Sequence, residues 1–292
     1  MFNQYFGYYL LNKGILTPDQ LFQALQHEHS ARVKLGILAV DAGLMTGEQV
    51  EEIHNLQRAK DKKFGELAQT QGYLTSAQVD QLLATQGQGH LTLLQAITDK
   101  GYLTLTAVEK ALADFRVEYG ITANAMSSPA PIDDDAGLKK LLDFSQAGDK
   151  ADLLYSYAGL TLRNLVRFLN ETPFILPLAI ETNQAGTWVA SQQIIGEPAL
   201  TVNLIMDAKT VLATANRFSD ENLSIVDEMA LDSIGEFLNV HNGVFCSVLS
   251  TNGFKVDLQP QSVRQQESPL NAPGYLIAIG TSLGRFDFRL SI

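Results

Sequence analysis

The sequence predicts a multidomain protein, in which an all-α helical repeat array precedes an α+β domain of long helices on an antiparallel sheet. Three observations carry this reading. A glycine recurs every 29 residues through the first 120 positions, a run of small residues, proline and acid follows, and beyond residue 150 the apolar spacing becomes a mixture of strand and helix periods. With 292 residues, 46% of them apolar, the chain is long enough to bury a core in each part.

The period is set by Gly14, Gly43, Gly72 and Gly101, each followed by the same grammar: "GILTPDQLFQAL", "GLMTGEQVEEIH", "GYLTSAQVDQLL" and "GYLTLTAVEKAL". Thr17, Thr46, Thr75 and Thr104 are placed to cap helices, and Gln20, Gln49 and Gln78 stand three residues later, which completes a capping box in three copies. The fourth has Ala107 there. Upstream of each glycine lies a short helical stretch, and glycine readily takes the left-handed conformation that ends a helix. One repeat is therefore a short helix, a tight turn and a longer amphipathic helix. Such a unit has a single apolar stripe and must bury it against other copies, so residues 1–120 are expected to stack as four helix pairs.

Residues 121–137, "ITANAMSSPAPIDDDAG", show no apolar period and predict a flexible linker, with the whole segment 121–150 separating the two domains. The text after it allows one short helix. From 151 to 292 the expected order is a helix ("LTLRNLVRFLNET"), β-rich runs ("FILPLAIET", "TWVASQQII", "LTVNLIM"), two helices ending in "SIVDEMALDSIGEFLNVHNGVFCSVL", and three strands ("FKVDLQPQSV", "GYLIAIGT", "RFDFRLSI"). That order makes an α+β layer structure.

Charge and composition exclude several function classes. The net charge of −11 divides as −3 for residues 1–120, −2 for 121–150 and −6 for the remainder, so no part offers the basic surface a phosphate backbone requires. The start lacks a signal peptide's pattern and no apolar run is long enough to span a bilayer, so a cytoplasmic protein without membrane insertion is expected. Cys246 is the single cysteine, which rules out an internal disulfide; within "GVFCSVL" it reads as an inert core thiol. His27, His29 and His54 lack partners at ligand spacing and read as helix-face residues, so no metal site of the chain's own is expected.

One helix carries chemistry. Asp232, Glu236 and Asn239 stand at i, i+4 and i+7 and so share a face, while Ile234, Phe237 and Leu238 point toward the core. His241 reads as a helix-surface residue. Setting "RNLVRFLNET" beneath "DSIGEFLNVH" aligns Arg163, Arg167 and Asn170 with Asp232, Glu236 and Asn239, which suggests a degenerate second copy.

The pattern Asp232-x-x-x-Glu236-x-x-Asn239, with Pro260 about twenty residues on, resembles the signature of the CheX, CheC and FliY class of chemotaxis phosphatases. The resemblance implies hydrolysis of the aspartyl phosphate on a response-regulator receiver domain, with no cofactor beyond the Mg2+ of that partner. It further implies that Asn239 orients the attacking water, that Glu236 pairs with the receiver's lysine, and that Asp232 and Pro260 support them. An arginine at Arg167 would repel that lysine, so the second face is expected to be inactive, and the single-site form of the family is commonly a homodimer. The alternative within the class is a non-catalytic adaptor that binds receivers or a motor component. The repeats look like the helical motif of type II secretion and pilus ATPase N-terminal domains, some of which bind cyclic di-GMP. Lys34 and Lys63 replace that motif's arginine, and Tyr5 and Glu28 occupy its end positions in the first copy. A protein-docking role is therefore expected, with a cyclic-di-GMP response as the lesser alternative.

Overall fold

The computed structural model describes residues 2–28, 33–84, 89–119, 135–177, 186–266 and 274–292, which fall into two compact units divided between Pro129 and Ala130. In the first unit the helices are α1 (Phe2–Asn12), α2 (Pro18–Glu28), α3 (Leu35–Asp41), α4 (Gly47–Ala59), α5 (Phe64–Thr70), α6 (Ser76–Ala84), α7 (Gly89–Asp99) and α8 (Leu105–Tyr119). Each pair turns at its periodic glycine, and all four glycines have φ between +64° and +77°. Thr17, Thr46 and Thr75 each accept from the backbone N–H of the glutamine three residues on, whose side chain accepts from the threonine N–H in return. Thr104 keeps only the first of these bonds, to the Ala107 N–H at 3.2 Å.

The pairs do not pack in chain order. α7 lies against α2, α3 and α1, and α8 against α4, α3 and α1, so the fourth pair sits between the first and the second. Specific polar contacts hold it there. The Lys34 N–H donates to Gln95 Oε1 at 2.9 Å, the Gly47 N–H to Glu109 Oε2 at 2.7 Å, and Arg116 Nη2 to both the carbonyl and the carboxylate of Asp41 at 2.9 and 3.0 Å. A sequence period fixes what one unit is but leaves open which neighbour covers its stripe.

The second unit begins with α9 (Asp135–Leu141) and a 3-10 helix (Ser145–Lys150), followed by α10 (Ala151–Leu169). This corrects the expected 121–150 linker. Leu138, Leu141, Leu142 and Phe144 are buried, and the Tyr155 hydroxyl donates to the Leu142 carbonyl, so residues 135–150 belong to the second core. Residues 121–134 lie outside those described. Given their composition, a protease is expected to cut within 121–134 and to spare 135–150, leaving two resistant fragments by mass spectrometry.

The strands are β1 (Phe174–Ile175), β2 (Trp188–Glu197), β3 (Leu200–Met206), β4 (Lys255–Leu258), β5 (Ser262–Gln265), β6 (Tyr275–Thr281) and β7 (Gly284–Ser291), with α11 (Ala208–Ser219) and α12 (Glu228–Thr251) between β3 and β4. The sheet order is β1-β6-β7-β3-β2-β4, with β5 also on β2, and every pairing is antiparallel. The expected strand "FKVDLQPQSV" is two strands: β4 pairs with one half of β2 and β5 with the other, interrupted at Pro260, which has no N–H to give a ladder. α12 packs on β2, β4 and β5 and against α11. Among the described residues no helix is long and apolar enough to cross a membrane.

Candidate functional site

α12 begins where Asp227 caps it by accepting from the Ala230 N–H at 3.0 Å, and it runs for 24 residues. Ala230, Ile234, Phe237, Leu238, Phe245 and Leu249 are buried at helical spacing, which forces the opposite face outward. Asp232 and Glu236 are exposed on it and Asn239 is half-buried. The structure thus brings the three expected residues onto one face. Beside them a groove of about 530 Å³ is lined by Glu228, Asp232, Glu236, Gln261 and Val263. Gly235 keeps it narrow: a Cβ there would stand 3.3 Å from Gln261 Cγ.

Asn239 is backed by residues the sequence reading missed. Gln192, on β2, donates from Nε2 to Asn239 Oδ1 at 2.9 Å and to the Gln259 carbonyl at 3.0 Å. Its Oε1 accepts from Asn242 Nδ2 at 2.8 Å, and Asn242 Oδ1 accepts from the Tyr157 hydroxyl of α10 at 2.8 Å. Burial pushes that phenol well above its ordinary pKa and keeps it a donor. On the other side, Asn239 Nδ2 reaches Glu236 Oε2 at a long 3.5 Å. Pro260 enters through this network, because the carbonyl held by Gln192 belongs to the residue before it. Two signals for these residues stand in the sequence. Gln192 interrupts the apolar strand face formed by Trp188, Ala190 and Ile194, and Asn242 falls on the buried stripe of α12.

His241 is a correction. It is fully buried, as its spacing of seven from Ile234 requires, with Nδ1 2.8 Å from Asn164 Nδ2 and Nε2 3.3 Å from the Thr161 hydroxyl. The rings of Tyr157 and Phe288 also face it. Burial lowers its pKa from 6.5 to about 3, so it is neutral and structural. The folded state holds that proton more weakly than the unfolded chain, so stability is full above about pH 6.5 and is lost as pH falls toward 3, by roughly 1 kcal/mol per pH unit. Urea unfolding at several pH values should show this slope and a shallower one in His241→Gln. Cys246 is likewise not fully in the core but half-buried, with its pKa raised by partial burial and by Asp257. In the first unit His54 is half-buried against the Phe64 ring; His29 lies outside the described residues.

The aligned second copy does not reproduce the geometry. α10 ends at Leu169, and Asn170 is its left-handed cap, with φ 51° and ψ 40°. Asn239 is inside a helix. An asparagine beyond a helix end is explained by its tolerance of that conformation, and Arg217 of α11 closes the same end by donating to the Leu169 carbonyl at 3.0 Å. Arg163 and Arg167 do lie one turn apart on α10, with the Arg167 guanidinium over the Phe168 ring.

An antiparallel sheet covered by a long helix, with an exposed acid and amide one turn apart and the amide anchored from below, defines a two-layer α+β domain with a helix-borne polar site. Residues 188–275 match the model of the family described as "Chemotaxis phosphatase CheX", so the second unit carries a CheX-like domain, and Asp232, Glu236, Asn239, Pro260 and Gln192 all fall within the match. Solved structures similar to this chain include a chemotaxis protein CheX from Desulfovibrio desulfuricans (17% identity, 46% of this chain and 95% of that one, TM-score 0.38). Others are CheX in a CheX-CheY-BeF3-Mg2+ complex from Borrelia burgdorferi (15%, 47% and 96%, 0.37) and Thermotoga maritima FliY (17%, 46% and 82%, 0.36). No match was found among curated proteins.

Proposed function

We propose that the second unit is a phosphatase for the aspartyl phosphate of a response-regulator receiver domain, acting in chemotaxis or a related two-component pathway. The observation that carries this reading is the Glu236–Asn239 pair on α12, with Glu236 exposed and Asn239 held from beneath by Gln192, inside the segment that matches a chemotaxis phosphatase family. Hydrolysis of an acyl phosphate needs a water aligned with the P–O bond that breaks and little else. The water's oxygen bonds to phosphorus, the bond to the aspartyl oxygen breaks, and the receiver carboxylate leaves with the electron pair. Asn239 suits this as a rigid amide: Nδ2 donates to the water or a phosphoryl oxygen, the remaining lone pair of Oδ1 accepts a hydrogen bond from the water, and the proton the water loses ends on the released phosphate. Glu236 would pair with the receiver's lysine and set the register of docking, with Asp232 extending the acidic face. The Mg2+ that neutralises phosphoryl charge would belong to the receiver. The helical unit would recruit a second protein.

With a receiver carrying a radiolabelled phosphoryl group, label should leave as inorganic phosphate and never appear on this chain. Label transferred to this chain would overturn direct hydrolysis.

A further inference from the structure

The amide of Asn239 has two placements that differ by a half-turn, and its surroundings decide between them. Gln259 offers a backbone carbonyl, which can only accept, so the Gln192 group 3.0 Å from it is the NH2. That same NH2 meets Asn239 at 2.9 Å, and the atom it meets is therefore Oδ1. At the opposite end Gln192 Oε1 must accept, from Asn242 Nδ2, and Asn242 in turn accepts from Tyr157. The Gln259 carbonyl thus fixes Gln192, and Gln192 fixes Asn239 on one side and Asn242 on the other.

We infer that Gln192 is a positioning residue: it holds Asn239 with Oδ1 inward and Nδ2 outward, toward the reacting centre. Its place in the fold supports a role beyond filling space. Gln192 is 2% exposed on a sheet face where its cross-strand neighbours are Val202 and then Leu290. A polar side chain there is costly unless every group is bonded, and an apolar one would fill the position with no such demand. What glutamine adds is the fixed polarity of Asn239. The catalytic consequence rests on the receiver-phosphatase reading; the amide polarity does not.

The test uses Gln192→Glu and Gln192→Leu in the full chain. The carboxylate has the same shape but cannot donate, so Asn239 turns Nδ2 inward to meet it; leucine releases Asn239 altogether. Either variant should lower the maximal rate of receiver dephosphorylation on the order of 100-fold, with the KM for phosphorylated receiver unchanged within about threefold. A merely structural role would not move the second readout, the Asn239 side-chain NH2 signal in an amide NMR spectrum, assigned by its loss in Asn239→Ala. In the unaltered chain that NH2 should exchange rapidly with water, and in Gln192→Glu one of its protons should be protected. A slowly exchanging NH2 in the unaltered chain would overturn the polarity assignment without any variant having to fold. A full rate in either folded variant, with Asn239→Ala inactive, would overturn the positioning role alone. If Asn239→Ala keeps its rate, the phosphatase reading fails and the NH2 signal still decides the polarity.

Discussion

Asn239→Ala is expected to lower the rate of receiver dephosphorylation at saturating enzyme by roughly 100-fold or more, the loss typical of removing a positioned donor at a reacting centre. Binding should change little, because in the proposed mechanism the amide would align water and take little part in docking. Glu236→Ala should weaken binding and rate together, since a charge that sets register is lost with its side chain. The two residues are close enough for their amide and carboxylate to meet at 3.5 Å, so the double variant should cost less than the product of the single losses. Asn170→Ala should leave the rate unchanged and destabilise the unit by about 1 kcal/mol, because alanine is strained in the left-handed cap that Asn170 occupies. Equal loss of activity from Asn170→Ala and Asn239→Ala in a phosphorylated-receiver decay assay would show that both faces work.

A large effect on stability is expected in the first unit, at Gly47. A Cβ there would stand 2.5 Å from the backbone N of Thr106 and 2.7 Å from its Cα, atoms that no rotamer change can move. Gly47 also gives its N–H to the Glu109 carboxylate at 2.7 Å, so α4 and the start of α8 meet through both the Thr106 backbone and this side chain. Gly47→Ala should therefore cost about 3 kcal/mol, at the upper end for overpacking, even though alanine is the better helix former. The contact exists because the fourth helix pair packs on the second. In an array ordered as the chain is, position 47 would not meet residue 106 and the substitution would be neutral or mildly stabilising. Thermal or urea unfolding of the Gly47→Ala chain, followed by helical signal, distinguishes the two arrangements.

How much of this was legible beforehand divides along physical lines. Local rules were readable: the capping boxes at Thr17, Thr46 and Thr75, the positive-φ glycines and the polar stripe of α12 all depend on residues within one or two turns of each other. What depended on distant partners was not. The insertion of the fourth pair between the first two rests on contacts some sixty to seventy-five residues apart, such as Gly47 with Glu109 and Arg116 with Asp41. The 135–150 segment looked like linker because its apolar residues, Leu138, Leu141, Leu142 and Phe144, find their cover in the helix that follows rather than within the segment. At the site, the exposed Asp232, Glu236 and Asn239 were identified by spacing, whereas Gln192 becomes meaningful only when β2 is seen beneath α12. His241 was legible in the spacing, because its period of seven with Ile234 points inward, and a surface assignment overlooks that period.

Whether α12 of this chain speeds water attack on a receiver's aspartyl phosphate is decided by the decay of a set of phosphorylated receivers from the same organism, with the chain absent, present, and present as Asn239→Ala. At least one receiver is expected to lose its phosphoryl group markedly faster with the unaltered chain and at the unassisted rate with Asn239→Ala. Decay at the unassisted rate for every receiver, or acceleration that survives Asn239→Ala, would contradict it.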